Sequence, residues 1–136
     1  MTLLARAAVL LLALNTLTVG VWAQFAPESF YRAFPGLGWA WVSVDGPYNE
    51  HLIRDVGGLN LALGVLGLLA LRQPGLAAPF ALAYQLPHNA YHLAHLELIA
   101  SPLERFAQSA GLLFNVLAAL IVVFWCRPFN KGVSRG

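Results

Sequence analysis

The sequence predicts an all-α integral membrane protein: a four-helix bundle with both termini cytoplasmic and one aromatic-rich outer loop. Composition is the first reason. Apolar side chains make up 59% of the 136 residues and charged ones only 10%, with a mean hydropathy of +0.66, whereas a soluble domain carries about 25% charged residues. The second is the spacing of four apolar stretches, 6–23, 51–71, 76–97 and 106–126. Each falls within the ~17–25 residues that cross a bilayer as a helix, the form that satisfies every backbone polar group internally. The third is charge placement. With the N terminus inside, the inner segments hold Arg6, Arg72, Arg127, Lys131 and Arg135 and the outer ones Arg32, Arg54 and Arg105, so five of the eight basic residues lie inside, as the positive-inside rule requires. All six acids fall outside. The predicted location is the cell membrane, multi-pass, as a single domain over 1–136.

This distribution also excludes classes of function. The formal charge of +2 and pI near 9.0 are topology signals rather than a phosphate-binding face, so nucleic acid is set aside. A single cysteine, Cys126, leaves no internal disulfide and no CxxC metal or redox site.

Along the chain, 6–23 has the basic start, apolar run and Val21-Trp22-Ala23 ending of a signal peptide. The length of the run and the polar Asn15-Thr16 in its middle favour a retained span. The outer loop, 24–50, carries Phe25, Phe30, Tyr31, Phe34, Trp39, Trp41 and Tyr48, a composition suited to the headgroup region, as an interfacial anchor or as a lid over a site. Pro27-Glu28-Ser29 opens a short helix through Phe34, and Trp39 to Val44 alternates as a short extended piece. Arg72-Gln73-Pro74-Gly75 is a tight turn between the second and third spans.

Ionisable groups inside spans face the bundle interior and point to function. In the third span, His88, His92 and His95 form HxxxHxxH, and at ~100° per residue all three share one stripe with Tyr84 and Tyr91 at its edge. In the second, His51 and Asp55 are one turn apart on a face continuing through Gly58 and Ala62, distinct from a second face of Gly57, Asn60, Gly64 and Gly67. Depths counted from Glu50 and Glu97 put His51 level with His95 and Asp55 level with His92. The expectation is one outer-leaflet site of His51, His88, His92, His95 and Asp55, rimmed by Glu50 and Glu97. Such a set suits Zn²⁺ or non-haem iron. The plainer reading is imidazoles bonded to one another, with Asp55 pairing locally to pin helix ends. Below lies a polar layer of Asn15, Asn60, Asn89 and Asn115, roughly 12–17 Å down, which reads as interhelical hydrogen bonding or as the floor of a pocket. Pro87 frees the carbonyl of Ala83 and is expected to bend the helix just below His88.

The HxxxH and HxxH elements resemble in part the histidine boxes of membrane di-iron desaturases and hydroxylases. That resemblance implies a di-iron set only if carboxylates or a second protomer complete the four histidines. Membrane b-type cytochromes give a second resemblance, in which His51 with His92 or His95 is the axial pair; three histidines and an acid on one face place haem behind the other metals. Overall size and the segment Asn49-Glu50-His51-Leu52-Ile53-Arg54-Asp55-Val56-Gly57-Gly58 resemble small four-helix membrane proteins of uncharacterised families, a resemblance that implies fold and no activity.

The function expected is action on a lipidic or membrane-dissolved substrate, as a metal-dependent membrane hydrolase or oxidoreductase. Asp55 is then ligand or general base, and Glu50 or Glu97 moves protons. Two rivals use the same residues differently. One is a non-catalytic accessory subunit of a homo-oligomer or larger membrane complex; the other is a metal-free acid–base enzyme or proton relay.

Overall fold

The structure, a computed structural model, describes residues 1–125; Cys126, Arg127, Lys131 and Arg135 lie outside the described residues. Its elements are α1 (Leu3–Phe25), α2 (Pro27–Ala33), β1 (Pro35–Gly36), β2 (Trp39–Ala40), α3 (Glu50–Ala70), α4 (Ala77–Ala94) and α5 (Pro102–Trp125), with 3₁₀ turns at Pro74–Leu76 and Leu96–Leu98. Three of them, α1, α3 and α5, are long and apolar enough to cross a membrane. The expected fourth span, α4, is shorter and more polar: Gln85, His88, Asn89 and His92 interrupt it, and it stops at Ala94 because His95 leaves helical geometry (φ −121, ψ 23).

Local chemistry sets each boundary. Thr2 and Asn49 cap α1 and α3 by accepting from the backbone N–H of Ala5 and Leu52, which satisfies donors a helix start leaves orphaned. Ser101 Oγ accepts from Glu104 N–H at 3.4 Å, and Pro102 follows as the first residue of α5. In the loop, β1 and β2 pair antiparallel with Pro35 opposite Ala40 and Gly36 opposite Trp39. Leu37 and Gly38 make the turn with φ of 61 and 81, the left-handed pair that a two-residue type I′ hairpin demands.

Packing is tightest between α1 and α3, which run antiparallel. A Cβ on Gly57 would stand 2.5 Å from the backbone N of Gln24, and one on Gly20 2.7 Å from that of Leu61, so the two backbones touch only because glycine occupies both places. α5 packs on α1 and on α4, while α3 and α4 meet sparsely. At the end bearing the 72–76 turn, alanines pull the four long helices together: Ala5, Ala8, Ala13, Ala70, Ala77, Ala81, Ala118 and Ala119 are buried around Leu12, Val9, Phe80 and Val122. Toward the opposite, loop end that core stops, and only a smaller cluster of Ala23, Phe30 and Ile53 joins α1 and α3 to the loop. The space between is where the polar side chains lie.

Candidate functional site

Between the alanine core and the loop is a cavity of about 500 Å³, a volume typical of small-molecule sites. All four long helices contribute. α1 supplies Asn15, Thr16 and Val19; α3 Val56, Leu59 and Asn60; α4 Tyr84, Gln85, His88, Tyr91 and His92; α5 Gln108, Gly111, Leu112 and Asn115. Each set is one helical face, as the i, i+3, i+4, i+7 spacing of 108, 111, 112 and 115 illustrates. The loop forms the roof through Phe30, Phe34, Pro35, Trp41, Val42 and Asp45.

Specific contacts hold the roof in place. Trp41 Nε1 donates to Glu104 Oε2 at 3.1 Å, tying the loop to α5, and its backbone N–H donates to Phe34 O at 2.8 Å. Tyr31 donates to Gly46 O at 2.7 Å and Trp22 Nε1 to Ser29 Oγ at 3.1 Å. Trp22, Phe30 and Phe34 pack their rings with centroids 4.8–6.0 Å apart, the range of favourable aromatic pairs. The loop therefore covers the cavity mouth.

On the α4 wall, rings stack at one-turn intervals. Tyr84 lies flat on His88 with centroids 4.7 Å apart, and His88 meets His92 edge-on at 4.6 Å. Among the described residues, polar contacts of histidine rings are confined to His95 Nδ1 against Tyr91 O at 2.8 Å and to the His51–Asp55 pair. His88 and His92 thus line the cavity without a protein partner on any ring nitrogen. Such imidazoles are available to a ligand as donor or acceptor.

No family model, curated protein or solved structure matches the chain. The site is accordingly argued from its own residues.

The structure divides the expected site in two. His88 and His92 line the cavity; His95, the helix cap, stacks on Tyr91 with centroids 4.2 Å apart and does not line it. His51 Nε2 and Asp55 Oδ2 lie 3.5 Å apart on an exposed face, with side chains 88% and 63% accessible. Glu50 pairs with Arg54 at 2.8 Å, and Glu97 lies in the exposed Leu96–Leu98 turn. The expected meeting of four histidines with Asp55 does not occur, and among the described residues no three His, Cys, Asp or Glu side chains converge where they could hold a metal ion. The reason is rotational. α3 presents Gly57, Asn60, Gly64 and Gly67 to the bundle, because only glycine admits the α1 backbone, and this turns the opposite face, His51–Asp55–Gly58–Ala62, outward.

The polar layer fares differently. Asn15, Asn60 and Asn115 all line the cavity. Asn89 is buried beside it, donating to Gln85 O and, at 3.0 Å, to Gln85 Oε1, which leaves its own Oδ1 without a partner. Sequence reasoning missed Gln85, Gln108 and Gly111, although Gln108 stands seven residues before Asn115 and hence on its face. Asp45 has no comparable signal, since only the path of the loop brings it to the roof. Among the lining residues, Leu59 of α3 and Tyr91 of α4 are 55% and 48% accessible, and the two helices that carry them meet sparsely.

Proposed function

We propose that the chain is an integral membrane four-helix bundle that takes a membrane-dissolved amphiphile into this cavity and transfers protons at its polar end through His88 and His92. The observation carrying the reading is two unpartnered imidazoles, one turn apart, lining a cavity whose remaining wall is largely apolar and aromatic. Neutral imidazole accepts a proton through one nitrogen and donates through the other, so two adjacent rings supply the acid and the base of a proton transfer.

Three apolar helices support the membrane location. That α4 crosses as well is supported by burial of Gln85 and Asn89 against its neighbours, which removes from lipid the groups that lower its hydropathy. The positive-inside count puts the loop end, and with it the site, on the non-cytoplasmic side. The accessible edges at Leu59 and Tyr91 favour entry from the bilayer between α3 and α4. This is the metal-free alternative among the expected functions, preferred because His88 and His92 reach the cavity while His51, His95 and Asp55 do not.

The test is solvent extraction of protein purified from its native membranes, with mass spectrometry of the extract. The expected result is a lipophile near one equivalent for the wild type and far less for a His88→Leu/His92→Leu variant of equal fold. Incubating protein and lipophile in D₂O should add carbon-bound deuterium only with the wild type. Equal lipophile in both samples would overturn the reading.

A further inference from the structure

Given that the cavity binds an amphiphile, the charge inventory of its wall narrows what that amphiphile is. We infer that it is an uncharged lipophile whose polar end is a hydroxyl or carbonyl, not an anionic lipid and not a cation. The inference rests on the function proposed above.

No arginine or lysine among the described residues lines the cavity. The loop-end guanidinium groups are committed elsewhere: Arg32 to Glu28 at 3.0 Å, Arg54 to Glu50 and to the carbonyl of Gln24, and Arg105 to the carbonyls of Ile99 and Ala100. A phosphate or carboxylate headgroup would find no permanent positive charge, only the imidazoles of His88 and His92, and the one ionisable acid on the wall, Asp45, would repel it. A charge left unpaired in such a site is strongly disfavoured. The deep end offers a cation nothing better. Its polar groups are the amides of Asn15, Asn60, Gln108 and Asn115, whereas Asp45 sits exposed at the roof.

Those amides match a neutral polar group. Asn60, 1% accessible, donates a hydrogen bond from Nδ2 to Val56 O at 2.9 Å and keeps its carbonyl oxygen as an acceptor. Gln108 is 6% accessible, lines the cavity and, among the described residues, has no side-chain hydrogen bond. A buried amide with donor and acceptor both unspent is completed by a ligand that carries both, as a hydroxyl does. Val19, Phe30, Phe34, Val56 and Leu112 then surround its apolar body.

The experiment uses the full chain in phosphatidylcholine nanodiscs and reads tryptophan quenching by three ω-brominated probes of one chain length: an alcohol, a sulfonate and a quaternary ammonium. Trp41 lines the cavity, so the quenching that an excess of the unbrominated alcohol reverses is quenching at the site. The expected result is saturable quenching by the alcohol, at least about tenfold tighter than by either ion, and weakened about tenfold by Gln108→Leu. Gly111→Leu should block the alcohol independently, because a Cβ there meets nothing within 4 Å and the added side chain enters free space. Sulfonate or ammonium binding as tightly as the alcohol overturns the inference and leaves amphiphile binding standing. Saturable quenching by none of the three overturns both.

Discussion

The two ends of the molecule use the same four long helices in opposite ways. At the turn end, alanines pack the helices into a filled core around Leu12 and Val122. Toward the loop end the same helices carry amides, imidazoles and a glycine, and they enclose about 500 Å³ under a lid of aromatic residues. Close packing that far forward would have left the amides of Asn15, Gln108 and Asn115 buried without partners, a cost of about 1–3 kcal/mol each. The difference teaches that the alanine core is the clamp and the polar half is the jaw.

Enlarging a residue on α5 should break this contrast most sharply. Ala119→Leu, at a core position 3% accessible, is expected to cost about 3 kcal/mol by overpacking, read as a lower unfolding temperature in detergent. Next in size, His88→Leu with His92→Leu should lose about 2 kcal/mol of ligand affinity, some thirtyfold, with thermal stability unchanged. Trp41→Phe removes the bond to Glu104 that latches the roof; about 1 kcal/mol of stability should go with it, and hydrogen exchange in the 35–46 segment should quicken. Gly111→Leu sharpens the comparison from the other side. It is expected to raise stability by up to about 0.8 kcal/mol through helix propensity while abolishing ligand binding, the reverse of Ala119→Leu about two turns further along the same helix. Smallest of all, His51→Ala should change stability by less than about 0.5 kcal/mol, as for other exposed pairs, and leave binding untouched.

Much of this architecture is legible in the residues. Apolar runs place α1 and α3 within three residues of their ends, and Pro27-Glu28-Ser29 marks α2. His88 and His92 are legible as a pair because one helical turn separates them on one face of α4, the face that lines the cavity. What depth counting cannot supply is rotation. His51 and Asp55 stand at the right level on α3 but face away, since the close approach of Gly57 to the Gln24 backbone decides which side of α3 is inside. A glycine face competing with a charged face is therefore the stronger signal, because backbone contact tolerates no alternative while a charged pair at a helix end is satisfied by solvent. The roof is illegible for another reason. Trp41 and Glu104 are 63 residues apart, and no local pattern encodes their meeting.

The most direct measurement is rebinding of the extracted lipophile to wild-type protein, to His88→Leu/His92→Leu and to His51→Ala/Asp55→Ala in nanodiscs by titration. The predicted result is one site per chain in the wild type, lost in the first variant and unchanged in the second. Binding that survives loss of His88 and His92, or that disappears with His51 and Asp55, would contradict the account.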